Sequence, residues 1–495
     1  MPNTLAYLML ILWPLVSLIM FRCLSLERAI IWTILGGYLI LPQAAEFDLP
    51  LVPDMTKVSI PNICVLVFVV FYLGKPVPLI PASWSVRLLM AGFVLGVVPT
   101  VLTNGEPIVF TLLGQTEPIV FSTASLPGMG LRDLGSVVIN QIIILLPFLV
   151  ARRYLASEVA LREILLALMI GGLIYTLPAL IEIRLSPQIN IWVYGFFQHD
   201  FEQMMRNGGF RPIVFLPHAL WLAFFMMTAA MAAIALARAA PGPERVKYLA
   251  FALYLLIVLV LCKSLASIGY AALLAPFLLI SNPRSQVRLA LICAVVAIVY
   301  PMLRNNGWIP LDDILTYAEA ISPDRAQSLG YRFGNEEQLL ARADEKQLFG
   351  WGGWGRNLVR DPQSGNILTI PDGEWIIVFG TFGWVGYISQ MGLLGAPLVL
   401  LRRRVNQRGQ GQGRTAPVSR YAAAMAMLLA ITLIDMLLNA ILTPLTWLMA
   451  GAILGHCERL AAPLPDGLPD QGASKPLPRR TVMGRSEAGP KRSVL

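Results

Sequence analysis

The chain has 495 residues, 56% of them hydrophobic and only 14% charged, with a formal net charge of +9. A soluble domain carries about 25% charged residues, so a soluble enzyme is excluded. Repeated apolar runs of roughly 17–25 residues instead identify a polytopic, all-α transmembrane bundle.

The first twenty residues lack a basic leader region and a small-residue cleavage site, so they read as a first span rather than a removable signal peptide. Length and hydropathy predict about thirteen spans, within a range of about 12–14 helices. They lie near 4–21, 29–43, 59–74, 88–103, 134–151, 163–182, 212–237, 248–262, 265–281, 288–303, 374–401, 417–438 and 441–456. With the N-terminus outside, Arg22, Arg28, Lys75, Arg87, Arg152, Arg153, Arg162, Arg238, Arg245, Lys247, Arg284 and Arg288 all fall inside. Arg402, Arg403, Arg404, Arg408, Arg414 and Arg420 do too. The excess of positive charge is therefore a topology signal and an affinity for anionic membrane lipid, not for nucleic acid. Residues 1–461 form the transmembrane domain, and the Pro-, Gly- and Arg-rich stretch 462–495 is expected to be a disordered cytoplasmic tail.

Four longer segments fall on the outer side: 44–58, 104–133, 183–211 and 304–373. The last has helical spacing over Ile314 to Ile321 and Glu336 to Leu348, with Pro323 and Gly330 between. A segment this long in a compact protein is usually functional. Its glycines, Gly330 and Gly334 and those around Trp351, predict hinges for a lid. The five cysteines, Cys23, Cys64, Cys262, Cys293 and Cys457, show no CxxC spacing and read as small buried hydrophobes. No metal site and no cofactor motif is expected; Walker, zinc and nucleophile-elbow patterns are all missing.

Candidate chemistry gathers at four places. Gln198-His199-Asp200, Arg206, Arg211 and His218 lie where the chain enters a span from the outer side. Charge beside a bilayer is costly, and two guanidinium forks near Gly208 and Gly209 suit a diphosphate. Pro212 fits a first helical turn, which predicts that Arg211 and His218, two turns apart, share one helix face. Lys263-Ser264-Leu265-Ala266-Ser267 marks a short turn between spans, with Lys263 and Ser267 as candidate ligands. In the long segment Arg332 is a candidate cation, and Trp351 and Trp354 are candidate platforms for sugar rings. Asp372 and Glu374, at the mouth of the next span, suit an acceptor base or a hydroxyl anchor.

Read in order, these motifs resemble the O-antigen ligase and polymerase superfamily, bacterial membrane glycosyltransferases of the GT-C type. Gly209-Phe210-Arg211-Pro212-Ile213-Val214-Phe215 with His218 resembles that family's arginine-bearing segment before a central helix. Ser267-Ile268-Gly269 resembles its Ser-Arg-Gly segment, with Ile268 where the family has arginine. Arg332 followed by Phe349-Gly350-Trp351-Gly352 resembles its loop arginine and glycine-rich turn. Asp372-Gly373-Glu374-Trp375 and Gly383-Trp384-Val385-Gly386 resemble the segment that follows. The resemblance spans about residues 195–400. Ligases carry His-Asn where Asp372-Gly373 stand, which favours a repeat-unit polymerase over a ligase.

The resemblance implies an inner-membrane enzyme acting at the periplasmic face. It would transfer a polyprenyl-diphosphate-linked oligosaccharide to a sugar hydroxyl, alongside a flippase and a chain-length regulator of the same pathway. It implies Arg211 and Arg332 on the diphosphate, Arg206 in support, and Asp372, Glu374 or His218 as the base. The rival class is a flippase or transporter of a lipid-linked or anionic substrate. Such a protein is expected to show internal repeats and short outer loops, and this sequence shows neither.

Overall fold

The computed structural model describes residues 1–48, 52–113, 120–206, 208–410 and 418–461. Residues Met1–Leu460 form one compact unit; the expected tail, 462–495, lies outside the described residues. The protein is an all-α, membrane-embedded helical bundle. Seven of its described helices are long and apolar enough to cross a bilayer unaided.

Each expected span contains a helix, although 212–218, expected to open the seventh span, is not helical. α1 (Thr4–Cys23), α2 (Leu26–Ile40) and α3 (Ser59–Val67) come first, α3 running into a π-turn at Phe68–Tyr72. α4 (Trp84–Leu95) and α5 (Val97–Leu102) together make one span. α6 (Leu131–Tyr154), α7 (Glu158–Leu185) and the short α8 (Ile189–Tyr194) follow, then α9 (Ala219–Ala239), α10 (Gly242–Leu261), α11 (Leu265–Ile280) and α12 (Pro283–Asn305). After α13 (Leu311–Ile321) and α14 (Pro323–Asp344), the chain ends in α15 (Glu374–Gln410), α16 (Arg420–Asp435) and α17 (Pro444–Ala461). Two small hairpins decorate the bundle: β1 (Ile108–Leu113) with β2 (Val120–Leu126), and β3 (Met205–Arg206) with β4 (Gly209–Phe210). The second is marked in the sequence by Asn207-Gly208, a two-residue hairpin signal.

α9 is the axial helix. Its core is a run of alanines and methionines, nearly all buried, and small side chains let α7, α10, α11 and α16 approach its backbone closely. The break at Lys263 is real: Lys263 adopts φ +54 between α10 and α11.

The two ends of the bundle differ in chemistry. At one end Arg28 pairs with Glu163, Arg152 with Glu458, and Arg238 and Arg420 donate to carbonyls of Ser281 and Arg238. These are basic residues of a single side of the expected topology. At the other end of α1, Asn3 donates to the Tyr194 carbonyl and Tyr194 to that of Ile40. Lys57 there donates to the carbonyl of Phe215.

The long segment departs from expectation. Gly330 and Gly334 sit inside the continuous helix α14 rather than in a loop. The glycine-rich turn after it is fastened to α15, which breaks at Gly383 (φ 63°, ψ −164°). Trp384 and Val385 donate to the carbonyls of Gln347 and Leu348, while Trp351 and Gly352 donate to those of Gly380 and Thr381. A broken membrane helix frees backbone groups that need partners, and this turn supplies them.

Candidate functional site

The site is assembled at the end of the bundle that holds Asn3 and Lys57. The β3–β4 hairpin projects from it, with Arg206 opposite Gly209 and Gly208 at φ +67. The Arg211 amide donates to the Met204 carbonyl at 2.8 Å, closing the hairpin's base. Lys263 reaches across to donate to the Arg206 carbonyl at 2.9 Å, and a Cβ at Gly209 would strike its Nζ. The glycine is what admits the lysine.

Arg211 is only 3% exposed. Its Nε and Nη2 have no hydrogen-bond partner among the described residues. Burial pulls its pKa down to about 10, Arg206 and then Arg332 push the same way, and Cys262 opposes. A buried guanidinium with unsatisfied donors, crowded by like charges, costs free energy unless an anion completes it.

The path from Arg211 to α9 is not helical, contrary to the expected shared helix face. Pro212 and Pro217 bracket an irregular strap, and the helix starts only at Ala219. Prolines lack the N–H that a helix interior needs. A buried network holds the strap instead. Glu182, at the end of α7 and 0% exposed, accepts from the amides of Ile189 at 3.0 Å and of Ile213 and Val214 at 2.8 Å each. The Phe215 amide donates to the Tyr175 hydroxyl, and Gln198 donates to the carbonyls of Val214 and Leu216. Val214 is held at φ +53, a strained value for a β-branched residue. Burial drives the pKa of Lys57, beneath the strap, down to about 7.

His218 caps α9: its Nδ1 accepts from the Leu220 amide at 3.0 Å. That bond leaves the proton on Nε2, so the neutral ring presents a donor. Burial, then His199, Arg211, Arg332 and Arg206, depress its pKa to about 3. His199 stacks edge-on at 4.5 Å between ring centroids. Arg211 is still near enough to His218 to depress its pKa, through the strap rather than along a helix.

Arg332 arrives from α14. Its Nη1 donates to the Leu438 carbonyl at 3.1 Å and to Asn439 Oδ1 at 3.3 Å, and its Nε lies 3.5 Å from Asp372 Oδ2. The carboxyl of Asp372 titrates above its ordinary range because burial outweighs the pull of Arg332. Behind this pair, Asn439 donates to Asp435 at the end of α16, and Asp435 also bonds Tyr270. No sequence motif singles out Glu182, Asp435 or Asn439. The available signal was a lone carboxylate within an apolar run, which is costly and so seldom idle.

The remaining candidates divide. Glu374 donates its amide to the Met436 carbonyl but turns its carboxylate to Gln390, 2.9 Å away, and makes no contact with Arg332. Ser267 is buried against Ser264 in the turn that carries Lys263. Both faces of expectation fail for Trp351: the Arg342 guanidinium lies 3.3 Å from its ring centroid, Lys346 Nζ lies 4.5 Å away, and its indole N–H donates to the Arg342 carbonyl. It fills the turn and offers no free platform. Trp354, by contrast, is 55% exposed. Among the described residues no group of three His, Cys, Asp or Glu side chains converges as metal ligands.

The arrangement can hold a multiply charged oxyanion between Arg211, Arg206 and Arg332, with a carboxyl alongside. No protein-family model and no curated protein matches the chain, so the functional reading stands on this cationic cluster and on the local motifs.

Proposed function

We propose that the protein is a membrane glycosyltransferase that polymerises polyprenyl-diphosphate-linked oligosaccharide repeat units, as in exopolysaccharide or O-antigen synthesis. Its place would be the bacterial inner membrane, with the cluster at the periplasmic face. The observation that carries the reading is Arg211: buried, cationic, and with two donor groups that no protein acceptor satisfies among the described residues.

In the reaction, the bond between the donor's anomeric carbon and the diphosphate oxygen breaks, and a new C–O bond forms to the acceptor hydroxyl. The departing diphosphate gains negative charge, which preorganised cations stabilise where water is scarce. Arg211 and Arg332 bind it, Arg206 supports from the hairpin, and His218 Nε2–H is a further donor. Asp372 takes the acceptor proton; its raised pKa and its place beside Arg332 fit that task. Glu374 shapes the mouth of α15 through Gln390 and stands outside the proton path.

The test is reconstitution in vesicles with lipid-linked repeat units. The wild type should form polymer and release polyprenyl diphosphate. Loss of one oxyanion donor costs roughly 10²–10³ in rate, so Arg211→Ala should fall at least that far. Arg211→Lys should also be impaired, because a point charge cannot replace the fork. Movement of labelled substrate across the vesicle without polymer would show a transporter instead.

A further inference from the structure

Away from the cationic cluster the bundle holds a large cavity. A cavity of about 900 Å³ lies between the N-terminal ends of α3 and α6, the end of α5 and the turn at Gly353-Trp354. That volume is near the top of the ~300–1,000 Å³ range typical of small-molecule sites. None of its lining residues belongs to the cationic cluster.

Its chemistry is the reverse of the first site. Asp48, Asp54 and Asp133 line it against a single Arg132, with the amide of Asn140 and the hydroxyl of Ser136 between them. Asp133 is partly engaged, accepting from the Gly130 amide at the start of α6. The carboxylates of Asp48 and Asp54 have no partner among the described residues. The Asp54 backbone is nevertheless fixed, because its carbonyl accepts from Ser59 Oγ at 2.9 Å. Trp354 stands in the lining at φ +55. A non-glycine residue in that region is strained, and here the strained backbone presents an indole to the opening instead of burying it.

An indole face, free carboxylate acceptors, an amide and a hydroxyl form a recognition set for a polyhydroxylated, uncharged ring system. The indole takes the apolar face of a pyranose and the carboxylates accept from hydroxyls. Three carboxylates repel a diphosphate. We propose that this cavity binds the glycan of the acceptor substrate, apart from the site that grips the donor's diphosphate. The acceptor role rests on the glycosyltransferase reading; the carbohydrate site itself rests on the cavity.

Calorimetry on the full chain in nanodiscs tests this, with two probes. One is the oligosaccharide released by mild acid from the host cell's lipid-linked pool; the other is inorganic pyrophosphate. The wild type and Arg211→Ala should bind the oligosaccharide equally. Trp354→Ala and Asp54→Asn should weaken it at least tenfold, and Trp354→Phe should weaken it less than the alanine variant. Pyrophosphate should bind the wild type and Trp354→Ala alike, and should not displace the oligosaccharide. Unchanged oligosaccharide binding in Trp354→Ala, absence of saturable binding in the wild type, or displacement by pyrophosphate or by polyprenyl phosphate in the disc would each overturn the proposal. Trp354 is exposed, so its variants keep the test open if Asp54→Asn fails to fold. An Arg211→Ala enzyme that still makes polymer would refute the diphosphate reading alone and leave the binding result standing.

Discussion

Removing the Glu182 carboxylate strikes the support of the site without touching the site itself. Glu182→Ala leaves the amides of Ile189, Ile213 and Val214 without acceptors in a place where water does not reach. Each buried donor so stranded costs about 1–3 kcal/mol. All three amount to about 3–9 kcal/mol, a large part of the ~5–15 kcal/mol by which folded domains are stable. The strap can escape most of this by relaxing Val214 out of its left-handed conformation and exposing 212–218. Arg211 and His218 would then lose their places while the helices persist. Glu182→Gln keeps one acceptor oxygen and sets an amide donor against the remaining N–H, at about 1–3 kcal/mol. If that falls on the reacting geometry, it is a loss of roughly 5–150-fold in rate. Hydrogen exchange resolved to 212–218, measured beside polymer formation and thermal unfolding, checks the order: alanine worst, glutamine intermediate, exchange rising in the strap before the bundle. A Glu182→Ala protein with wild-type exchange and activity would refute the claim that this carboxylate holds the site together.

Other outcomes follow from single contacts. His218 binds its proton far less readily folded than unfolded, about 3 against about 6.5. The stability that this contributes is complete above pH 6.5 and is lost as pH falls toward 3. Asparagine also caps helices, so His218→Asn should flatten the fall in thermal stability between pH 6.5 and 4; an unchanged slope would show that His218 is not the titrating group. Gly383→Ala should lower the unfolding temperature, since a Cβ at φ +63 would strike the backbone carbon of Leu348, and a scan that matches wild type refutes the clash. A reporter fused after Arg404 should read the cytoplasmic side; a periplasmic signal would invert the proposed topology.

The sequence is informative where a property is local. Apolar runs gave the spans and clustered arginines gave the two ends, because both are imposed by the bilayer on each segment separately. Arg211 and Asp372 were legible as costly charges at span mouths and Arg332 as a cation of the long outer segment, and the fold brings Arg332 near both. What was hidden depends on remote partners. The phase argument linking Arg211 to His218 assumed a helix through Pro212 and Pro217, and the strap exists only because Glu182, thirty residues earlier in the chain, supplies its acceptors. Trp351 and Trp354 are three residues apart and identical in type. Only packing decides that one is sealed beneath Arg342 and the other faces a cavity. Gly330 and Gly334 looked like hinges because glycine disfavours helices, yet the neighbouring residues keep α14 continuous.

The interrupted α15 also fixes where the protein can be altered. Its two halves are splinted by residues 347–352, a stretch distant in sequence from the break it bridges. Tags, loop grafts or crystallisation chaperones inserted there would pull the splint away and let the half-helix leading to Arg402 drift against the half that carries Glu374. The turn at Pro362 to Ser364 faces solvent and lies outside the splint. An epitope belongs there, about a dozen residues from a point where the same insertion would unhinge the bundle.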